Sequence, residues 1–412
     1  MKIFRFLAVA LVAMLGFSSC SEDCNHNFIE VDYSKDLVGT WTCLTADYAE
    51  ALVIKADGSV VSTGVENGEY WDGVKGSIKT TNNKMTLLFE DNDNYEGRFE
   101  MICGEAFTIF DENGKHLTYR YCANDLADEI VGMWVCQNSF ANTENDMLIQ
   151  TFKEDGTSIM TGYISDMEDF VTNAGGSTYK VIGDLFINIL PADAVAGGVP
   201  PYMAMRLEYA PNGTGYGDIM TFVHYLSNET KTTDTFLRIN QSLDLADQKY
   251  DYIKTYVSNV KGEDKDIDFM GYTFNFAKMD GSGLDKMMKA LLFAVEFPDA
   301  DHLTYSYQMN GNKETYKADI EVEGNKMTIK MSNKVATLKD VVLYAFQDAD
   351  CSQMHFYMHK TAFVNFYTNM QAMLMKATNE QFDINNAEAV NAIYDNINNA
   401  VETINVSLVM SK

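Results

Sequence analysis

The chain has 412 residues, 46 % of them hydrophobic and 12 % aromatic, with 59 acidic against 31 basic side chains and a formal charge of −28. This is enough apolar material to pack about two to three domains. Negative charge spread along the chain repels phosphate backbones and anionic bilayers, which argues against nucleic acid as a partner.

The amino terminus carries two basic residues, Lys2 and Arg5, then an apolar run from Phe6 to Phe17, then Ser18-Ser19-Cys20. A basic start, about a dozen apolar residues and small residues before a cut form a secretory signal peptide, too short to span as a stable membrane helix. Residues 1–19 therefore stand outside the fold. The cysteine after two serines resembles the lipobox of bacterial lipoproteins, with Phe17 where that pattern usually has Leu. The resemblance implies that Cys20 receives diacylglycerol and becomes the first residue of a membrane-tethered protein, with residues 20–34 as the tether. An ordinary signal peptide with a coincidental cysteine is the alternative. Each buried methylene contributes only about 0.8 kcal/mol, so several acyl chains are needed for a permanent anchor. Ser21, Glu22 and Asp23 are similar to the sorting residues of Bacteroidetes lipoproteins, which implies an outer-membrane location, facing either the cell surface or the periplasm. Processing removes Lys2 and Arg5 and leaves a formal charge of −30.

Further on, Val38-Gly39-Thr40-Trp41-Thr42-Cys43 returns as Val131-Gly132-Met133-Trp134-Val135-Cys136. Lys55-Ala56-Asp57-Gly58-Ser59 returns as Lys153-Glu154-Asp155-Gly156-Thr157 and as Lys278-Met279-Asp280-Gly281-Ser282, each behind an apolar stretch. Asp-Gly between strand-like runs signals a hairpin whose central residues take positive φ, so these three sites predict three hairpins opening three domains. Asn83-Lys84-Met85-Thr86-Leu87 matches Asn325-Lys326-Met327-Thr328-Ile329, and the second copy's counterpart runs from Thr178 to Ile189. In the first copy, Leu87 to Phe89, Arg98 to Cys103, Ala106 to Phe110 and Leu117 to Tyr121 are short strand candidates with turn-rich residues between them. About eight short strands at such spacing read as an antiparallel barrel or sandwich.

These signatures resemble the lipocalin-like domains of Bacteroidetes lipoproteins, most of them of unknown function, over residues 35 to 240. The resemblance implies that each tryptophan closes one end of a barrel. Trp41, Trp134, Phe89, Phe107 and Tyr119 are the candidate barrel-floor residues. The fold class expected is mainly β: tandem small antiparallel lipocalin-like β-barrels, with a third, barrel-like domain carrying inserted helices.

That third region has no glycine-any-tryptophan before Asp280. It carries helical stripes at Leu284, Met287, Met288, Leu291, Leu292 and Val295, at Phe363, Phe366, Tyr367, Met370 and Leu374, and at Val390, Ile393, Tyr394, Ile397 and Val401. Ile404 to Met410 alternates as a closing strand. The expected divisions are 35–124 and 125–243 for the first two barrels, 244–268 for a charged, solvated connector, and 269–412 for the third domain.

No C-x-x-C pair occurs. Cys43 and Cys136, two residues after each tryptophan, read as buried thiols on its face, with a Cys43 to Cys122 disulfide as an alternative if first and last strands are neighbours. His355 and His359 lack the glutamate of a zinc-protease helix, and Asp91, Asp93 and Glu96 lack the ligand spacing of a calcium loop. Gly281-Ser282-Gly283 is not a nucleophile elbow, and Gly213 to Gly217 reads as a hairpin loop. No catalytic residue, metal or cofactor is expected. Either a barrel holds a small apolar or amphipathic ligand, with methionines lining an adaptable pocket, or the barrels are packed and contact an envelope protein.

Overall fold

The computed structural model describes residues 33–412 apart from segments at 92–93, 103, 111–115, 137–147, 165–168, 173–175, 197, 199, 212–216, 227–229, 270–271, 310–311, 349 and 380. Cys20 and most of the tether, Cys24, Asp93, Cys103 and most of the Gly213 loop lie outside the described residues.

The first barrel follows the short helix α1 (Tyr33–Asp36). It comprises β1 (Gly39–Leu44), β2 (Tyr48–Ile54), β3 (Ser59–Glu66), β4 (Glu69–Thr81), β5 (Lys84–Phe89), β6 (Tyr95–Ile102), β7 (Ala106–Phe110) and β8 (His116–Cys122). Neighbouring strands pair antiparallel, and β8 returns to β1 with Thr40 opposite Cys122, closing the ring. Closure leaves no sheet edge unpaired, which removes the main aggregation hazard of a small sheet. The period-two alternation is visible in β2, where Tyr48, Leu52 and Ile54 join the barrel core while Ala49 and Ala51 face outward.

The second barrel uses β9 (Gly132–Cys136), β10 (Leu148–Phe152), β11 (Thr157–Ile164), β13 (Ser177–Ile182), β14 (Leu185–Ile189), β15 (Tyr202–Ala210), β16 (Ile219–Tyr225) and β17 (Lys231–Ile239). The pairing of β10 with β11 completes its ring, and the four-residue β12 (Asp169–Thr172) adds to β11 beside it. A short helix α2 (Ala192–Ala196) lies between β14 and β15.

The third barrel is built from β18 (Gln248–Gly262), β21 (Ala294–Phe297), β22 (His302–Met309), β23 (Asn312–Glu323), β24 (Lys326–Lys330), β25 (Val341–Gln347), β26 (Gln353–Met358) and β27 (Val401–Ser411). Between β18 and β21 sit the hairpin β19 (Asp266–Phe269) and β20 (Tyr272–Asn275) and helix α3 (Ser282–Ala290). Helices α4 (Lys360–Thr378) and α5 (Ala387–Ala400) form the connection from β26 to β27. The molecule is thus mainly β, with three closed eight-stranded antiparallel barrels in tandem and helices added to the third.

Four expectations are corrected. Most of the connector over 244–268 is instead β18, the longest strand, which pairs with both β21 and β27. Register shifts at Tyr252/Lys254, Ser258/Lys261 and Lys261/Gly262 break its alternation, so its charges fall at exposed positions without a regular period. The third Asp-Gly is a helix start. Gly281 takes φ 81 as the N-cap of α3 and Asp280 accepts the Ser282 amide, as Asp57 and Asp155 accept those of Ser59 and Thr157. The local turn is shared, and the stripe Leu284, Met287, Met288 then selects helix where alternation would select strand. That stripe ends early, because Val295 belongs to β21, and the stripe from Val390 stops one residue short, because Val401 opens β27. In the two true hairpins only the glycine, Gly58 or Gly156, has positive φ, so each is a longer turn with one left-handed residue.

The Asn-Lys pairs of the first and third barrels and Gly183-Asp184 of the second mark equivalent tight turns. Thr81 pairs with Lys84, Ile182 with Leu185 and Glu323 with Lys326, and the left-handed residues are Asn82, Gly183 and Gly324.

Candidate functional site

Each tryptophan closes its barrel by the same device. Trp41 is 1 % exposed and Trp134 0 % exposed. The Trp41 indole Nε1 donates to the Leu37 carbonyl at 2.8 Å, and that of Trp134 donates to the Ile130 carbonyl at 2.7 Å, pinning the entering chain across the barrel end. Gly39 has φ +136, and a Cβ there would lie 2.5 Å from a Tyr121 ring carbon, so only glycine lets that ring close over the indole. The two closures then differ. Tyr121 meets Trp41 edge-on at 5.2 Å, whereas Arg238 lies over Trp134 at 4.6 Å. The guanidinium also donates to the Val131 carbonyl at 3.0 Å and to that of Glu129, and pairs with Asp218 at 3.2 Å.

The candidate floor residues come together in part. Phe107 packs on Trp41 with ring centres 5.0 Å apart and stacks on Tyr119 at 4.9 Å. Phe89 shares that core and fills the space above Gly76, where a Cβ would meet its ring at 2.6 Å. Trp134 belongs to the second barrel, whose interior is crossed by Phe152, Phe186, Phe222 and Phe236 with successive ring centres 5.7, 5.2 and 5.2 Å apart. Side chains at aromatic contact distances thus run through both interiors.

Inside the first barrel lies a carboxylate that sequence reasoning missed. Glu50 is 2 % exposed. Its Oε1 accepts the Ser62 hydroxyl at 2.5 Å, and its Oε2 accepts Tyr48 at 2.5 Å and also Tyr119. The Trp71 indole donates to Ser62 at 2.7 Å and occupies the notch left by Gly64, where a Cβ would meet the ring at 2.4 Å. Burial first, and the Glu50 charge second, hold both phenols well above the usual tyrosine range. The same two causes push the Cys43 thiol up to about 12. The signal available in the sequence was Tyr48-x-Glu50-x-Leu52, which puts an acid on the inward face of a strand.

Cys43 and Cys122 do not form the alternative disulfide; both are free thiols. Cys43 faces inward with Trp41, while Cys122 hydrogen-bonds Asp184 of the second barrel at 3.0 Å. Asp184 also accepts Thr42 at 2.5 Å and pairs with Arg206 at 3.3 Å, a polar staple beside the apolar contact of Ala49, Ala51 and Val65 with Leu185 and Ile187. Tyr70 and Tyr202 stack across the same seam at 5.2 Å. The second seam joins Val135, Ile149 and Leu237 to Tyr344, Phe346 and Tyr357 of the third barrel. There Asn240 donates to the Asp348 carbonyl at 2.9 Å.

The third barrel is closed by α4. Asn369 pairs with both backbone groups of Lys339 at 3.0 and 2.7 Å, and Asn365 donates to the Asp340 carbonyl at 2.8 Å, so the β24–β25 loop clamps the helix. Beneath it remains a cavity of about 30 Å³, lined by apolar residues including Met331, Met358, Met370 and Phe366. That is room for a water or two rather than the several hundred Å³ of an ordinary ligand pocket. Met287, Met288 and Met373 are core filling.

His355 and His359 are both held neutral by burial, which lowers them to about 4 and about 3. Among the described residues, no group of three or more His, Cys, Asp or Glu side chains is placed to hold a metal ion. No described helix is long and apolar enough to cross a membrane.

No family model matches the chain, and no curated protein matches it. Among solved structures, a double mutant of the vaccine antigen Transferrin Binding Protein B from Haemophilus parasuis matches with 12 % identity over 88 % of this chain and a TM-score of 0.23. The match covers 65 % of that protein, so the chain spans less than two thirds of its length.

Proposed function

We propose that this is a non-enzymatic envelope lipoprotein, tethered through Cys20 to the outer membrane and exposed at the surface, whose three packed barrels form a scaffold for a protein partner. The observation that carries this reading is the filling of the barrels. Trp41, Phe107 and Tyr119 occupy the first interior, a chain of four phenylalanines the second, and α4 the third. With the interiors occupied, the surfaces left for recognition are the outer faces, strand ends and loops, held in fixed relation by two seams. The lipobox-like Ser18-Ser19-Cys20 and the acidic Glu22-Asp23 support the tether and the location.

A second reading is favoured by one feature: the cavity beneath α4 is lined by three methionines, whose flexible side chains can reshape it around a small apolar ligand. Native mass spectrometry of the protein purified from its own host separates the two. A stoichiometric protein partner supports the scaffold, and a copurified small molecule supports the ligand reading and overturns the first. Retention of an unlipidated Cys20, or loss of hydrolytic or transfer activity on mutating any one residue, would remove the corresponding part of the proposal.

A further inference from the structure

The seam between the second and third barrels contains ionisable groups that a scaffold of fixed shape does not require. Along β26, Met354, Phe356 and Met358 point into the third barrel, while Tyr357 belongs to the apolar cluster shared with the second. Strand alternation places His355 on the Tyr357 side. His355 is 3 % exposed, between Phe346 on β25 and Val409 on β27. His359, the N-cap of α4, lies next along the chain with its ring 4.8 Å from that of Tyr357.

Among the described residues, ionisable groups reach this seam from several elements, with the Cys351 thiol beside Asn240 at its edge. β25 contributes the Tyr344 phenol, and Asp348 follows its last residue, hydrogen-bonded to Ser352 and to the Gln353 amide. β18 contributes Tyr256, with the Lys254 ammonium 4.3 Å over its ring. β26 itself contributes Tyr357, and the segment leaving β17 contributes Asp244, whose amide bonds Gln347. The strands of the second barrel meet the seam with Val135, Ile149, Ile219 and Leu237. Among the described residues, phenols, Phe346 and aliphatic side chains thus make up the cluster beside the imidazoles, with the buried Ser407 opposite Tyr357, and the two acids sit toward its Asn240 end.

We propose that this seam is an acid-sensitive joint: the second and third barrels are locked together while His355 and His359 are neutral, and separate as whole barrels when the imidazoles take up protons. An imidazolium left in the apolar cluster has lost its hydration, and parting the barrels restores it. Burial lowers both histidines from 6.5, to about 4 and about 3, so the closed joint keeps its full stability above pH 6.5 and loses it as pH falls toward 4. At pH 5 the buried His355 shifts the closed-to-open ratio by about 30-fold, and the partly buried His359 adds a smaller factor.

The test uses the full chain, with small-angle X-ray scattering and far-ultraviolet circular dichroism between pH 7.5 and 4.5. The expected result is a reversible rise in radius of gyration at unchanged strand content, with hydrogen exchange accelerating in β9, β17 and β26. The variant His355→Gln/His359→Gln should lose most of that response. Identical scattering at both ends of the range, or a response of equal size in the variant, overturns the proposal. If the double variant does not fold, the wild-type pH dependence decides. The logarithm of the opening constant should rise by about one to two for each unit that the pH falls between pH 6 and 4.5, and a slope below one overturns it.

Discussion

The two tryptophan closures invite a paired double-mutant cycle. In the second barrel, Arg238 lies over Trp134 at 4.6 Å while donating to two backbone carbonyls, and its side chain is 20 % exposed. A largely desolvated cation–π contact contributes about 1–2 kcal/mol, and each charged hydrogen bond about 1.5–3 kcal/mol before the freed carbonyls regain water. Arg238→Met should therefore destabilise the second barrel by about 3 kcal/mol, Trp134→Leu by a similar amount, and the coupling between them should be about 1–2 kcal/mol. In the first barrel the corresponding pair is Trp41 with Tyr121, edge-on at 5.2 Å and with Tyr121 45 % exposed. Its coupling should fall near 0.5 kcal/mol. Three barrels need not unfold as one unit, so the assay is native-state hydrogen exchange, read on β9 and β17 for one cycle and on β1 and β8 for the other. A coupling within about 0.3 kcal/mol of zero for Trp134 and Arg238, or equal couplings in the two barrels, would refute the reasoning.

Glu50→Ala removes the acceptor for Ser62, Tyr48 and Tyr119, and should cost the first barrel about 3 kcal/mol or more, whereas Glu50→Gln keeps one accepting oxygen and should cost less. Urea titration followed by exchange of β2 amides checks the order of the two. Leu292, the residue after the C-cap of α3, takes φ 46 and is 64 % exposed, so it bears left-handed strain with little burial in return. Leu292→Gly should raise the stability of the third barrel by about 1 kcal/mol in a thermal or chemical melt, and a loss would mean that the leucine makes contacts outside this chain.

Much of the architecture was legible because barrels reuse local chemistry. Gly39-x-Trp41 and Gly132-x-Trp134 announce a glycine that yields space and a ring that fills it, and the tight turns at Asn82, Gly183 and Gly324 recur at matching places. β18 was hidden because its bulges scramble the two-residue period that marks a strand. Asp280 misled because an aspartate accepting the amide two residues on serves a hairpin and a helix start equally well. The floor aromatics Trp41, Phe107 and Tyr119 could be assigned to one interior by alternation, yet nothing in a linear pattern tells a packed interior from a hollow one. The staple of Asp184 with Thr42 and Cys122 joins residues 142 and 62 positions apart, and such contacts between barrels leave no period in the sequence.

The closing ladder of the third barrel joins β18 to β27, pairing Gly262 with Val401. Every strand between them, and the helical pair α4–α5, must be made and threaded before that ladder can zip up. The first barrel closes over a span little more than half as long, from Thr42 to Arg120. Loop entropy grows only logarithmically, so the longer span adds under about 1 kcal/mol of closure cost, but long-range pairing slows folding far more than it weakens the product. During vectorial synthesis the earlier barrels can therefore be complete while β18 still waits, with its row of backbone donors unmet, for its C-terminal neighbour to arrive. A chaperone that holds strands would find its substrate there.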